Sequence, residues 1–220
     1  MQPPRSARPG KKQLWFPCGR YFARTIKRED ASERWASWLS DAAIVHVLNP
    51  PPKKLQKRDI ADYIKQFDQR SRLLLGIFEK GTLIHVGFVR LDIDHAANEA
   101  LVNAVIGDPD HRNRGATTDV FVPTLDYLFD TLGLARVKAS ILERNQVTLR
   151  YLRKLGWQVD AKLESQIKSN SDGSMLGLCT VSWTRDGYRA FRQTSIGKRI
   201  LQRLSGAERA RTGSVAKQQS

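Results

Sequence analysis

Apolar positions along the chain keep two rhythms. Residues 73–79 (LLLGIFE), 82–93 (TLIHVGFVRLDI) and 99–107 (EALVNAVIG) are short apolar runs. Lys80-Gly81 and the polar stretch from His95 to Asn98 separate them, which predicts three consecutive strands of an antiparallel meander. Upstream, residues 20–26 (RYFARTI) read as a strand. Residues 28–40 read as a helix with Trp35, Trp38 and Leu39 on one face, and Lys57 to Phe67 as another, striped by Ile60, Ile64 and Phe67. Downstream the rhythm alternates. A helix is predicted from Thr117 to Leu132, a strand from Arg136 to Leu142, and a helix from Gln146 to Leu155 closed by Gly156. An extended stretch from Trp157, a turn from Ser169 to Ser174 and a last strand over 176–184 follow. Strands in series and then strand–helix alternation predict a mixed α/β (α+β) fold, one sheet packed with helices.

Length and charge sharpen this picture. The chain has 220 residues, enough for one domain with extended ends. The division expected is a disordered basic arm over 1–14, a domain over 15–192, and a basic tail over 193–220 that is flexible or partly helical. The net charge is +15, of which the arm carries +4 and the tail +5. Such an excess suits either solvated basic ends or a polyanionic partner: nucleic acid, a membrane surface or a phosphorylated ligand. Two cysteines, Cys18 and Cys179, argue against a disulfide scaffold or zinc ribbon and for a reducing, cytoplasmic setting. No apolar run approaches the roughly 18 residues of a membrane span, and the N-terminus lacks the apolar segment of a secretory signal. No metal and no membrane partner are expected.

Candidate chemistry concentrates in Ile106 to Phe121, IGDPDHRNRGATTDVF. A strand ends, a loop with arginines and a glycine follows, and a helix starts at once. The free N–H groups and partial positive charge of a helix N-terminus form an anion site, and Gly115 lets an anion approach the backbone closely. Arg112 and Arg114 add charge, and Thr117 and Thr118 can cap the helix or donate. An ordinary strand–helix loop with two solvated arginines explains the same residues. The loop is neither a Walker loop nor a dinucleotide fingerprint.

The run Arg112-Asn113-Arg114-Gly115-Ala116-Thr117 resembles the Arg/Gln-x-x-Gly-x-Gly/Ala acetyl-CoA loop of GNAT-superfamily N-acetyltransferases, with Thr117 where Gly or Ala is usual. Glu143 to Trp157 (ERNQVTLRYLRKLGW) resembles the second motif of that family, in which an Asn opens the helix and Lys-Leu-Gly-Phe closes it. The branch most similar is that of the ribosomal-protein-alanine N-acetyltransferases, and the resemblance covers about residues 20–190. It implies a mostly antiparallel, six- to seven-stranded sheet flanked by helices, with a splayed V between two central parallel strands, 99–107 and 136–142. It implies acetyl-CoA as acetyl donor. Backbone groups of Arg112, Asn113, Arg114, Gly115, Ala116 and Thr117 would hold the pyrophosphate. Val105 and Ile106 would pair with the pantetheine arm as an added strand. Asn145 would bond that arm, or simply cap its helix.

For the chemistry of transfer, relatives place a Tyr seven residues after the motif Asn, where this chain has Leu152. Thr148, three residues after Asn145, keeps a hydroxyl where the ribosomal-protein branch has Ser. Tyr151 is the other candidate acid, although about 100° of helix rotation from Leu152 turns it elsewhere. The family's base position falls on Leu101. Glu99 lies two residues earlier on the same strand face and is the candidate base. His85 reads as a packed histidine. The acceptor expected is a small or phosphorylated amine such as an aminosugar, because a basic chain opposes a Lys/Arg-rich peptide. Trp35, Trp38, Tyr63 and Phe67 would line its pocket or belong to the core. The alternatives are acetylation of a protein N-terminal amine, a degenerate CoA-binding protein, and a nucleic-acid-associated protein acting through its basic ends. A monomer or a homodimer is expected.

Overall fold

A computed structural model describes residues 13–51 and 53–217. Residues 1–12 of the predicted basic arm lie outside the described residues. The chain starts with a hairpin, β1 (Trp15–Cys18) and β2 (Tyr21–Thr25), turned at Gly19-Arg20. Helices α1 (Glu33–Trp38), α2 (Ala42–Leu48) and α3 (Lys57–Lys65) follow. The predicted single helix over 28–40 is a 3-10 turn at Arg28–Asp30 and then α1, because Ser32 breaks off to cap α1 by accepting the Trp35 N–H at 3.1 Å. Asp41 caps α2 in the same way, accepting from Ala43 and Ile44.

The meander forms as β3 (Arg72–Glu79), β4 (His85–Asp94) and β5 (Glu99–Ile106). Next come α4 (Ala116–Asp126) and β6 (Arg136–Leu142), then α5 (Gln146–Lys154). A long hairpin, β7 (Gln158–Lys168) and β8 (Met175–Thr184), completes the sheet, and α6 (Arg185–Gln193) and α7 (Ser195–Lys217) end the described chain. The strand order is β1-β2-β3-β4-β5-β6-β8-β7, antiparallel throughout except for β5 and β6.

Among the described residues the sheet has eight strands where six to seven were expected, and β1 is the added one. Its Pro17 breaks a strand pattern, but a proline is tolerated at a sheet edge, where β1 lies. The predicted helix to Leu132 ends its α-helical part at Asp126 and continues as a π turn over Tyr127–Thr131. Pro123 has no N–H for the preceding turn, and the Thr124 hydroxyl takes the Val120 carbonyl at 2.8 Å. Helix α6 was not anticipated. Thr184 caps it, and Tyr188 and Phe191 bury its apolar side.

Each face of the sheet carries a core. One joins Leu73, Leu75, Val89, Leu91 and Val102 to α4, α5 and α6 through Val120, Leu149 and Tyr188. The other joins Leu74, Phe88 and Val105 to α1 and α3 through Trp35, Trp38, Ile60 and Ile64. Alternate strand residues serve alternate faces, as strand geometry requires. Cys18 and Cys179 are buried thiols, and no disulfide joins them. Among the described residues, no helix is long and apolar enough to cross a membrane.

Candidate functional site

The parallel pair β5–β6 is joined only at one end. Glu99, Ala100 and Leu101 pair with Arg136, Val137 and Lys138, and the ladder stops there. Each strand remains paired on its outer side: β5 to β4 as far as Ile106 opposite Gly87, and β6 to β8 as far as Leu142 opposite Leu178. The two strands therefore part into a V over Val102–Ile106 and Ala139–Leu142, as the resemblance implies. The Gly107 N–H donates to the Val86 carbonyl at 3.0 Å. Antiparallel bonding alternates, so the backbone groups of Val105 face β4, while those of Val102, Ala104 and Ile106 face the V. Of the two residues expected at an added-strand contact, Ile106 turns its backbone groups to the V and Val105 turns its own to β4. Ala104 also faces the V.

The loop at the mouth of the V is tightly built. Asp108, 1% exposed, accepts from the Asp110 N–H and is ion-paired with Arg34. A Cβ at Gly107 would overlap the Trp38 ring. The chain reverses through Asn113 (φ 57) and Gly115 (φ 82), and α4 starts at Ala116. No side chain caps α4, so its first amides point outward as a partial positive charge. Ala116 is buried beneath them. This arrangement fits a phosphate group: a left-handed glycine, an uncapped helix start and a small buried first residue. The Arg112 side chain is engaged within the protein. Its Nε–H donates to the Ile106 carbonyl at 3.3 Å, one Nη donates to the Gly107 carbonyl, and the other pairs with Asp41 at 3.0 Å. It staples the loop to the start of α2.

Across the V, Asn145 caps α5, its Oδ1 accepting the Thr148 N–H at 3.2 Å. Thr148 lies in the first turn after β6, half-buried. Leu152 is buried in the core. The Tyr151 hydroxyl reaches Thr118 Oγ1 in the first turn of α4. Tyr151 therefore stands beside the start of α4, a position that helix rotation away from Leu152 leaves open to it. Glu99 is not brought to this group. It lies at the closed end of the V, paired with Lys138, about seven residues or ~23 Å of strand from Ile106. The alternation of strand faces identifies its side of the sheet but not its distance from the mouth, and its ion pair occupies the carboxylate.

Helix α2 closes the side of the mouth opposite α4 through three clasps. Asp41 holds Arg112; the Arg144 guanidinium donates to the carbonyls of Val45 and His46; and Asn49 and Asn170 bond each other's main chain, tying the β7–β8 turn to the end of α2. Trp35, Trp38 and Phe67 are core residues, not pocket lining, each under 5% exposed. His85 is packed among Trp35, Trp38 and Phe78, with ring centroids 4.9–5.1 Å away. Burial lowers its pKa to about 4, so the ring is neutral near pH 7. Among the described residues, no cluster of three or more His, Cys, Asp or Glu could hold a metal.

Sequence reasoning missed one cation at this site, Arg203 of α7. Its guanidinium nitrogens lie 3.6 Å from the point a Cβ on Gly115 would occupy. The helical spacing of Ile196, Ile200 and Leu204 was the available signal, since it docks α7 and so fixes where Arg203 falls.

Known proteins share this architecture. The sequence profile described as Acetyltransferase (GNAT) domain matches residues 20–158. The probable N-acetyltransferase YjcK of Bacillus subtilis (strain 168) is 28% identical over 118 residues, a match spanning 52% of this chain and 64% of that protein's length. The ribosomal-protein-S5-alanine acetyltransferase of Vibrio fischeri superimposes with a TM-score of 0.66 at 17% identity, over 80% of this chain and 98% of that one. The microcin C7 self-immunity acetyltransferase MccE, solved with acetyl-CoA and AMP, superimposes with a TM-score of 0.65 at 16% identity, over 75% and 92%.

Proposed function

The chain belongs to the GNAT acetyltransferase family, and on that premise we propose that it transfers an acetyl group from acetyl-CoA to the primary amine of a small, anionic acceptor such as a phosphorylated aminosugar. One observation carries the reading: a V between β5 and β6 whose mouth ends in the uncapped, glycine-led start of α4. The amides of residues 115–118 would hold the pyrophosphate, and the inward-facing groups of Ala104 and Ile106 would pair with the pantetheine amides. Arg114 adds charge, and Asn113 shapes the turn with Gly115. Bound acetyl-CoA supplies a thioester carbonyl to which an amine adds directly, so Cys18 and Cys179 have no part in the step. Thr148 would donate a hydrogen bond to the departing sulfur from the first turn of α5, while Asn145 holds that turn in place, and the thiolate would take back from the water at the mouth the proton the amine releases. Tyr151 would bind coenzyme beside Thr118. With Glu99 at the closed end, no carboxylate is assigned as base, and water at the mouth would take the ammonium proton.

The acceptor class follows from charge. Of the arginines on the α2 side of the mouth, Arg34 and Arg112 are ion-paired with Asp108 and Asp41, so the charge argument rests on Arg144. Arg144 donates only to carbonyls in these contacts, which leaves its charge uncompensated by them. A cationic N-terminal peptide meets like charge there, and a phosphate meets its complement. The complex of MccE with AMP is in keeping with a phosphorylated ligand near such a site. A second reading, a CoA-binding protein without turnover, draws on Leu152, which puts a buried apolar side chain where relatives carry a tyrosine. Incubation with acetyl-CoA and a panel of amines, aminosugar phosphates and N-terminal peptides separates the two. Acetylated product from the phosphorylated amines supports transferase activity; CoA binding with no product on any amine supports the second reading.

A further inference from the structure

Helix α7 lies beyond the 20–158 stretch that matches the family profile, yet it touches the anion turn. It turns back sharply from α6: a Cβ at Gly197 would overlap the Phe191 carbonyl, so the two helices meet backbone to backbone. Ile196, Ile200 and Leu204 pack α7 down. Leu204 comes within 3.3 Å of the Cβ position of Gly19 in the β1–β2 turn. This docking carries Arg203 to the start of α4, where its Nη2 is bonded to Asp119 Oδ1 and both Nη atoms lie 3.6 Å from the Cβ position of Gly115.

The pairing has an electrostatic logic. Asp119 is a carboxylate in the first turn of the helix whose amides would receive an anion, and it is 6% exposed. Alone it would repel a phosphate at that helix start. Arg203 neutralises it, while its own side chain stays 53% exposed and keeps both Nη atoms beside Gly115. Arg112, one of the two arginines that the sequence points to for this task beside Arg114, is occupied by Asp41 and two carbonyls.

We infer that Arg203 is a ligand of the coenzyme's diphosphate, so that α7 completes the coenzyme site from outside the matched domain. The inference rests on the reading of this chain as an acetyl-CoA enzyme. The test is calorimetric titration of the full chain, of Arg203→Gln and of Arg203→Lys with three probes: CoA, 3′-dephospho-CoA and pantetheine. Arg203→Gln is expected to weaken CoA and 3′-dephospho-CoA alike, by roughly 10- to 100-fold, as for a lost charge-assisted hydrogen bond. Pantetheine, which has no phosphate, should bind the variant as it binds the parent. Arg203→Lys, which keeps the charge and the Asp119 pair, should recover part of the affinity. Unchanged CoA affinity in Arg203→Gln overturns the inference, as does a loss confined to CoA or one shared equally by pantetheine. A circular dichroism melt identifies misfolding, and if Arg203→Gln melts early the comparison moves to Arg203→Lys: a loss on both phosphorylated probes but not pantetheine supports the inference, and parental affinity for all three overturns it. A parent chain that binds no CoA refutes the proposed function instead.

Discussion

The hydroxyl of Tyr151 on α5 is hydrogen-bonded to the hydroxyl of Thr118 in the first turn of α4. That bond spans the two helices that follow the parting strands, at the end where α4 exposes its amides. It separates two residues that sequence alone leaves as rivals for one role. Tyr151 lies beside the first turn of α4, and Thr148, a turn earlier on α5, lies near the end of β6.

The expected consequence is a split between binding and rate. Tyr151→Phe should raise the Kd for CoA by about 3- to 10-fold, the scale of one hydrogen bond, with kcat nearly unchanged. Thr148→Val should lower kcat by about 100-fold, the lower range for a lost hydrogen-bond donor to charge that develops in the transition state, with CoA affinity nearly unchanged. Steady-state kinetics and calorimetry on both variants check it; equal kcat in Thr148→Val and the parent returns Thr148 to a packing role.

Gly115→Asp should reduce CoA affinity by at least about 100-fold. The substitution places a side chain at φ 82, where left-handed backbone costs a non-glycine residue about 1–2 kcal/mol, and sets a negative charge beside the anion. Gly115→Ala, which adds the strain without the charge, should lose less. Calorimetry on both separates the two contributions, and an unchanged Kd in Gly115→Asp moves the coenzyme away from this turn.

These two predictions differ in how much of their basis can be read without coordinates. The meander, the Asn145 cap and the glycine turn are local: periodicity and capping chemistry specify them. Gly156, read as a helix stop, indeed follows α5 in left-handed conformation at φ 96. Other features depend on contacts distant in sequence. Arg112 looks like a phosphate ligand until α2 brings Asp41, 71 positions away, against it. Glu99 has the right face of β5 but the wrong end, because face alternates locally while the ends of the V are set by pairing with β6. Arg203 reaches Asp119 across 84 positions. Pro17 hid β1 because an edge position, which makes it tolerable, is a property of the whole sheet.

Stability should depend on pH through His85. Burial holds its folded pKa at about 4 against an ordinary value of 6.5, so between these the unfolded chain binds more protons than the folded one. Its contribution is fully present above pH 6.5 and is lost as pH falls through about 4. The urea midpoint should therefore drop from pH 7.5 to pH 5, and His85→Phe, which keeps an aromatic ring among Trp35, Trp38 and Phe78, should show a smaller drop. Identical drops in the two proteins would remove His85 from the account of acid sensitivity.

The clasp between Asn49 and Asn170 should matter to the acceptor and not to the coenzyme. Asn170→Ala removes two side-chain bonds, to the Asn49 and Pro50 carbonyls, that tie the β7–β8 turn to the end of α2. KM for the amine should rise by about 5-fold or more, with the Kd for CoA unchanged, since the clasp lies on the side of the mouth opposite α4. A change in CoA affinity equal to the change in KM would place the clasp at the coenzyme instead.

A crystal structure of the protein with CoA tests the central claim most directly. The account predicts the diphosphate on the amides of residues 115–118, within reach of Arg203, with the pantetheine arm lying between β5 and β6 against Ala104 and Ile106. CoA bound elsewhere, or the two strands zipped together beyond Leu101 with no coenzyme between them, would contradict it.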